Sequence, residues 1–235
     1  VAEVWRFPDT LPARWGLSAW SAGSVSLWDA AINTIVVGVS SAAIALCMVI
    51  VWCELTPAAY IKGHRKKITE IPFYIPLLVP QIAFLFGLQI MLVWLDLDGL
   101  YITLIWAHLL FVFPYVLLSL GPAWRRWDNR LDDVGAALGA GRIERLIRIK
   151  LPVLITPIMT SLAIGFAVSA ALYLPTIFVG GGRIITLTTE AVTLASGAGR
   201  QNLGAATALQ MALPLLIFLC ADAVSRRRLS GTGSA

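Results

Sequence analysis

Charge is what this 235-residue chain has least of: 13% of its residues are Asp, Glu, Lys or Arg, against about 25% in soluble domains. That scarcity speaks against a water-soluble helical bundle, whose helices need polar outer faces. Cysteine is scarce as well. Cys47, Cys53 and Cys220 form no CxxC pair and have no ligand cluster beside them in sequence, so they read as buried, reduced thiols rather than a disulfide framework or a metal site. No lysine follows a glycine, which excludes a P-loop and leaves any ATP hydrolysis to another chain. GxSxG, HExxH and a complete GxGxxG are missing too. Asp132 and Asp133 are neighbours, and neighbours on a helix point in different directions. No catalytic site, metal or cofactor is expected.

The charges that exist are clustered, and between the clusters lie five uncharged stretches: Asp29 to Glu54, Glu70 to Asp96, Asp98 to Arg125, Lys150 to Arg183 and Arg200 to Asp222. Each exceeds the roughly 18 apolar residues that mark a spanning helix. The expected fold class is therefore all-α, a polytopic membrane protein with spans at 30–53, 71–95, 100–123, 153–178 and 202–222. An external segment, 1–27, would precede the permeating domain 28–228, and a tail, 229–235, would follow it.

The net charge of +5 is distributed unevenly. If the spans alternate, fourteen basic residues fall on one side: Lys62, Arg65, Lys66, Lys67, seven between Arg125 and Lys150, and Arg226 to Arg228. Only Arg6, Arg14, Arg183 and Arg200 fall on the other. The positive-inside rule puts the basic side and the C-terminus in the cytoplasm and 1–27 outside, which also removes nucleic acid as the reason for the charge.

Polar groups within the spans are the candidates for lining a path: Gln81, Gln89, Tyr115, Ser161, Ser169, Tyr173 and Gln210. Ser161, Gly165 and Ser169 recur every four residues, which marks either a close-packing seam or a polar wall. His108 reads as a hydrogen-bonded packing residue ahead of a ligand or proton relay. Prolines at 76, 80, 114, 157, 175 and 214 predict bends, whether around a path or for packing. The connection from Gly180 to Gln201 is too long for a tight turn and is either a structured cap for a partner or an idle loop.

Between the third and fourth spans, in the loop 124–152, two short helices are legible. Leu131, Val134 and Leu138 share one face, with Asp128 or Asn129 as the cap; Gly139 stands where a left-handed terminating residue is needed. The second helix puts Ile143, Leu146 and Ile147 on one face and Arg142, Arg145 and Arg148 on another, until Pro152 stops it. The product is an amphipathic elbow. A basic helix lying on anionic lipid is the plain alternative.

This elbow resembles the signature of binding-protein-dependent permeases, E-A-A followed after three residues by Gly and closed by L-P. Asp133, Val134 and Gly135 stand at its front, Leu138, Gly139 and Ala140 at its turn, and Leu151 and Pro152 at its close. Asp replaces Glu, and Val and Gly replace the two Ala. The segments WRFPD (5–9) and YLPTIFVGGGRIITLTTEAVTLASG (173–197) are similar to the C-terminal half of fused permeases of the iron, polyamine and thiamine group, closest to a thiamine-type subgroup. A further helix precedes WRFPD in such proteins, so the resemblance implies one half, or a fragment, of a longer polypeptide.

What the resemblance implies is an importer permease in a bacterial inner membrane. Its expected partners are a cytoplasmic ATPase dimer docked on Asp133, Val134, Gly135, Leu138, Gly139, Ala140, Ile143, Leu146, Leu151 and Pro152, an external solute-binding protein, a second permease half or subunit, and membrane lipid. An intramembrane enzyme or a passive channel remains the competing reading.

Overall fold

A computed structural model describes residues 2–4, 14–15, 24–56, 65–197 and 200–231. Residues 5–9, Lys62 and the end of the tail, 232–235, lie outside the described residues, so the expectations placed on them are not addressed. A short antiparallel ribbon, β1 (Ala2–Val4) with β2 (Arg14–Trp15), precedes a wholly helical body.

Among the described residues, three helices are long and apolar enough to cross a membrane unbroken. They lie within α1 (Ser24–Leu55), α4 (Tyr101–Arg125) and the last helix, α10 (Arg200–Gly231). Two bent helix pairs are apolar and long enough to be further candidate spans when each pair is taken together. The predicted span 71–95 is α2 (Arg65–Leu78) followed by α3 (Gln81–Trp94), with 95° between the arms Glu70–Leu78 and Gln81–Trp94. Pro80 caps α3 at φ −54°, ψ 109°, an extended conformation in which the α ladder cannot continue.

The predicted span 153–178 is also interrupted. The second elbow helix, α6 (Arg142–Val153), meets α7 (Ile155–Ala171) at 78°. α7 then ends at Leu172 (ψ 104°), and a short α8 (Leu174–Gly180) follows with Pro175 in its first turn, a position where the missing amide hydrogen does no harm. Pro175 thus opens a helix instead of bending one. Pro114 and Pro214 lie inside helices that continue through them.

The helices alternate in direction. Glu70, early in the first bent pair, meets Arg125 at the end of α4, and Glu54, near the end of α1, meets Arg142 and Lys150 of α6. These contacts define an elbow end. At the far end Leu27 of α1 clusters with Ala205 and Ala206 of α10, and Gly99 N–H donates to Val179 O. Between the ends runs a core in which Val112, Val116, Leu117 and Leu120 of α4 meet Ala45 and Val49 of α1 and Ile158 of α7. Gly165 holds α7 there: an added Cβ would lie 2.9 Å from Val116 and 3.2 Å from Ala42. The three spaced small residues are therefore a packing seam. Cys47 and Cys220 face outward from the bundle, which corrects the expectation of buried thiols; only Cys53 is partly covered. Both sit on helix faces rich in exposed apolar side chains, where a thiol behaves as a small hydrophobe.

Candidate functional site

The elbow is built by local rules. Asp128 is the N-cap of α5 (Asn129–Ala137), its carboxylate accepting from Arg130 N–H at 3.0 Å. α5 ends in paired bonds: Gly139 N–H reaches Ala136 O and Ala140 N–H reaches Gly135 O, both at 3.0 Å. That is the Schellman pattern, and it requires the left-handed φ of +84° that Gly139 adopts. Gly135 serves differently. It is buried where α6 crosses, and a Cβ there would meet Arg145 Cδ at 3.0 Å and Ile149 Cδ1 at 3.1 Å.

Along α6 the backbone leaves the α register. Pro152 has no amide hydrogen to return to the preceding turn, and over Leu146–Lys150 that turn widens to a π-helix, with Leu151 N–H on Leu146 O. The helix runs on to Val153. Pro152 therefore does not stop it, as its position suggested; the break comes at Leu154 (φ −89°, ψ 16°).

Exposure divides the elbow's apolar residues into two groups. Leu138 is 83% exposed, Ile143 72%, Val134 58% and Ile147 57%. Leu146 and Leu151 instead pack against the main core. Leu146 thus leaves the face predicted for it beside Ile143 and Ile147, because α6 must also be anchored to the bundle. Asp133 is exposed beside Val134, and Ala140 is half-buried behind the turn. Pro152 is exposed, lining a shallow apolar depression with Ile50, Ile147 and Ile155.

A second feature lies where the two bent spans come together. A cavity of about 380 Å³ is lined by Pro76 and Gln81 at the α2–α3 break, Phe111 and Tyr115 of α4, and Val168 and Leu172 of α7. It gathers Gln81 and Tyr115 from the predicted polar set. Gln89 sits half-buried farther along α3, and Tyr173 is half-buried at the start of α8.

The remaining three are placed elsewhere. Ser161 is enclosed, donating to Pro157 O at 2.7 Å while its oxygen lies 2.9 Å from that of Ser119. Ser169 is equally enclosed, against Ser41 Oγ at 3.1 Å and His108 Nδ1 at 2.8 Å. Gln210 Nε2 reaches Ala170 O at 2.8 Å and Thr188 Oγ1 at 2.6 Å, and so satisfies a carbonyl freed where α7 stops. All three are tied to neighbouring helices, so within this chain they form internal joints and not an open wall.

Among the described residues, the Ser169–His108 pair looks catalytic and was missed by sequence reading. His108 Nε2 also meets Thr176 Oγ1 at 3.1 Å, and the Thr176 hydroxyl donates to Leu172 O at 2.9 Å. Thr176 has then spent its proton, so Nε2 is the donor and Nδ1 accepts from Ser169. That tautomer would suit a base, but His108 and Ser169 are 1% and 3% exposed. A sealed pair with its hydrogen bonds used is a polar joint between α1, α4, α7 and α8, in keeping with the packing role expected of His108.

Comparison with known proteins follows the same lines. Residues 68–231 match the family described as binding-protein-dependent transport system inner membrane component. The inner membrane ABC transporter permease protein YnjC of Escherichia coli (strain K12) is 36% identical over 198 residues, covering 84% of this chain and 37% of that protein. This chain thus spans little more than a third of that relative's length. A Salmonella typhimurium permease protein named for 2-aminoethylphosphonate transport, PhnV, is 22% identical, over 85% of this chain and 76% of its own. Among solved structures, a bacterial ABC transporter involved in the import of the acidic polysaccharide alginate superposes with a TM-score of 0.59 at 20% identity. It covers 92% of this chain and 85% of its own, a likeness of fold.

Proposed function

This chain belongs to the inner membrane components of binding-protein-dependent transport systems, and from that membership we propose that it forms one half of a solute path driven through its elbow by a separate ATPase. The observation that carries the reading is the elbow's surface. Val134, Leu138, Ile143 and Ile147 stand exposed on two short helices fixed by a Schellman turn and by the crossing at Gly135. Apolar side chains presented on a rigid frame suit a protein groove, where pre-organisation lowers the entropy lost on docking. Asp133 beside them supplies a charge with which to set register.

The elbow end faces the cytoplasm in this reading and the far end faces an external solute-binding protein. Support for that orientation comes from the concentration of Arg and Lys at the elbow end. The path half is the cavity holding Gln81 and Tyr115, which opens between bent spans. A second permease half would complete it, and α10, the long helix least covered by the rest of this chain, would face that half or lipid. The run from Tyr173 to Gly197 favours the thiamine-type subgroup among iron, polyamine and thiamine permeases, so the solute is a small one handed over by the binding protein. A passive channel has no use for an exposed apolar elbow.

The test uses single cysteines at Arg142 and Ala195 after Cys47, Cys53 and Cys220 are replaced. An impermeant thiol reagent applied to intact cells should label Ala195→Cys and leave Arg142→Cys untouched until the membrane is opened. A photoreactive residue at Ile143 should then crosslink to the ATPase. Labelling of both cysteines from outside, or an Ile143 crosslink only to lipid, would overturn the reading.

A further inference from the structure

We propose that Lys150 is a pivot, a positioning residue whose pairing with Glu54 makes the elbow and α1 move as one body. The proposal deepens the importer reading and takes its purpose from it, while its geometry stands independently.

Lysine is almost never enclosed unless paired, and Lys150 is 8% exposed. Its Nζ lies 2.7 Å from Glu54 Oε2, near the end of α1. The same ammonium sits 4.6 Å from the ring centre of Trp124, at the end of α4, and 5.8 Å from that of Trp127, in the link to α5. Trp127 is itself held, its Nε1 donating to Asp132 of α5 at 2.8 Å. One cation therefore joins the first spanning helix, the third and both arms of the elbow.

Glu54 is gripped twice. Its Oε1 lies 3.6 Å from Arg142 Nε, and the Arg142 guanidinium also donates to the Glu54 carbonyl. Arg142 opens α6 and Lys150 lies eight residues on, about 12 Å along a helix. Two side chains that leave α6 that far apart and converge on Glu54 triangulate α6 against α1, constraining its direction as well as its position. The apolar contacts of Leu146 and Leu151 cannot do this, being non-directional.

The need for such a fixture lies one turn further on. α6 meets α7 at 78° across Leu154, where regular hydrogen bonding is interrupted. A load applied to the exposed elbow would be taken up by flexing there. The Glu54–Lys150 pair bypasses that joint and delivers the load to α1, which packs along both α4 and α7. An apolar pair would fill the same space without fixing direction, which is the use of a buried ion pair that stability alone does not explain.

Spin labels at Ala136 on α5 and Ile44 on α1 read this directly, in the full polypeptide assembled with its ATPase in lipid nanodiscs and with the native cysteines replaced by alanine. The wild-type background should give one narrow distance peak that neither moves nor broadens with ATP and vanadate. Lys150→Arg, which keeps the charge, should keep the peak. Lys150→Met and the neutral double Glu54→Gln/Lys150→Met should lose it. The double leaves no enclosed charge unpaired, Arg142 being largely exposed, and serves if the single variant does not accumulate. A single narrow peak in the double, its loss in Lys150→Arg, or a nucleotide-dependent shift in the wild-type background would overturn the pivot. Failure of the wild-type protein to bind the ATPase would instead overturn the importer reading, and the comparison without nucleotide would still decide the pivot.

Discussion

The two ends of this bundle are fastened by different chemistry. At the elbow end, Glu70 holds Arg125 at 3.3 Å, and Glu54 holds Lys150 and Arg142. At the far end the fastenings are hydrogen bonds, the shortest of them between neutral groups. Asn33 Nδ2 donates to Ile185 O at 2.9 Å, Tyr101 OH to Asn33 Oδ1 at 2.6 Å, and Leu187 N–H to Thr34 Oγ1 at 2.9 Å. α9 (Leu187–Ser196) makes the connection after α8 a structured cap, closed by a capping box between Thr186 and Thr189. Among the described residues, the ion pairs that join different elements all lie at the elbow end. Neutral bonds between backbone and short side chains hold one geometry. Long charged side chains are directional and bridge wider gaps between helices, which suits the end that must transmit a push.

Removing a buried charge partner should separate the ends most widely. Lys150→Met leaves Glu54 without its nearest cation and should destabilise the protein by about 3 kcal/mol, as expected for a broken buried pair. Thr34→Val at the far end leaves one amide unsatisfied and should cost about 1 to 2 kcal/mol. Unfolding in mixed micelles measures both, and equal losses would break the comparison.

The elbow's two glycines should come next. A Cβ at Gly139 meets nothing within 4 Å, so the main expected effect of Gly139→Val is the strain of a β-branched residue at positive φ, about 1 to 2 kcal/mol. Membrane abundance should stay near normal while ATPase copurification falls. Gly135→Ala acts by contact instead, pushing on Arg145 and Ile149. It should weaken copurification while barely changing stability, because the arm can swing away. Full ATPase recovery with either variant would mean that elbow shape is irrelevant.

Salt should give the smallest effect. At about 1 M ionic strength the screening length falls to roughly 3 Å. Exposed pairs such as Arg148–Glu144 weaken, the enclosed Lys150 contact much less, and the neutral hydrogen bonds of the far end least. Amide hydrogen exchange should quicken modestly in α6 and remain constant in α9. Equal quickening at both ends would erase the distinction.

Much of this architecture was legible from residue types alone. Charge-free runs marked the apolar helices that are candidate spans, Asp128 the start of α5, and Gly139 its end, because each is a local signal. Proline was not decisive: Pro80 stands at a break, Pro114 and Pro214 lie within unbroken helices, and Pro175 opens one. Removing one amide permits a bend without requiring it, and tertiary contacts choose. The pairs that define the ends were invisible for a similar reason. Glu54 and Lys150 are 96 positions apart, and His108 and Ser169 are 61 apart. Their meeting depends on the register between helices, which no single helix's pattern contains. The same blindness put Leu146 on the exposed face, and it left Ser161, Ser169 and Gln210 among the path candidates without showing their bonds to neighbouring helices.

The central claim is that the exposed elbow face docks an ATPase, and ATPase copurification with Leu138→Asp tests it most directly. Leu138 touches the tip of the face and supports nothing beneath it, at 83% exposure. The account predicts normal membrane abundance with near-complete loss of the ATPase from the purified complex. Normal abundance with an undiminished share of ATPase would contradict it.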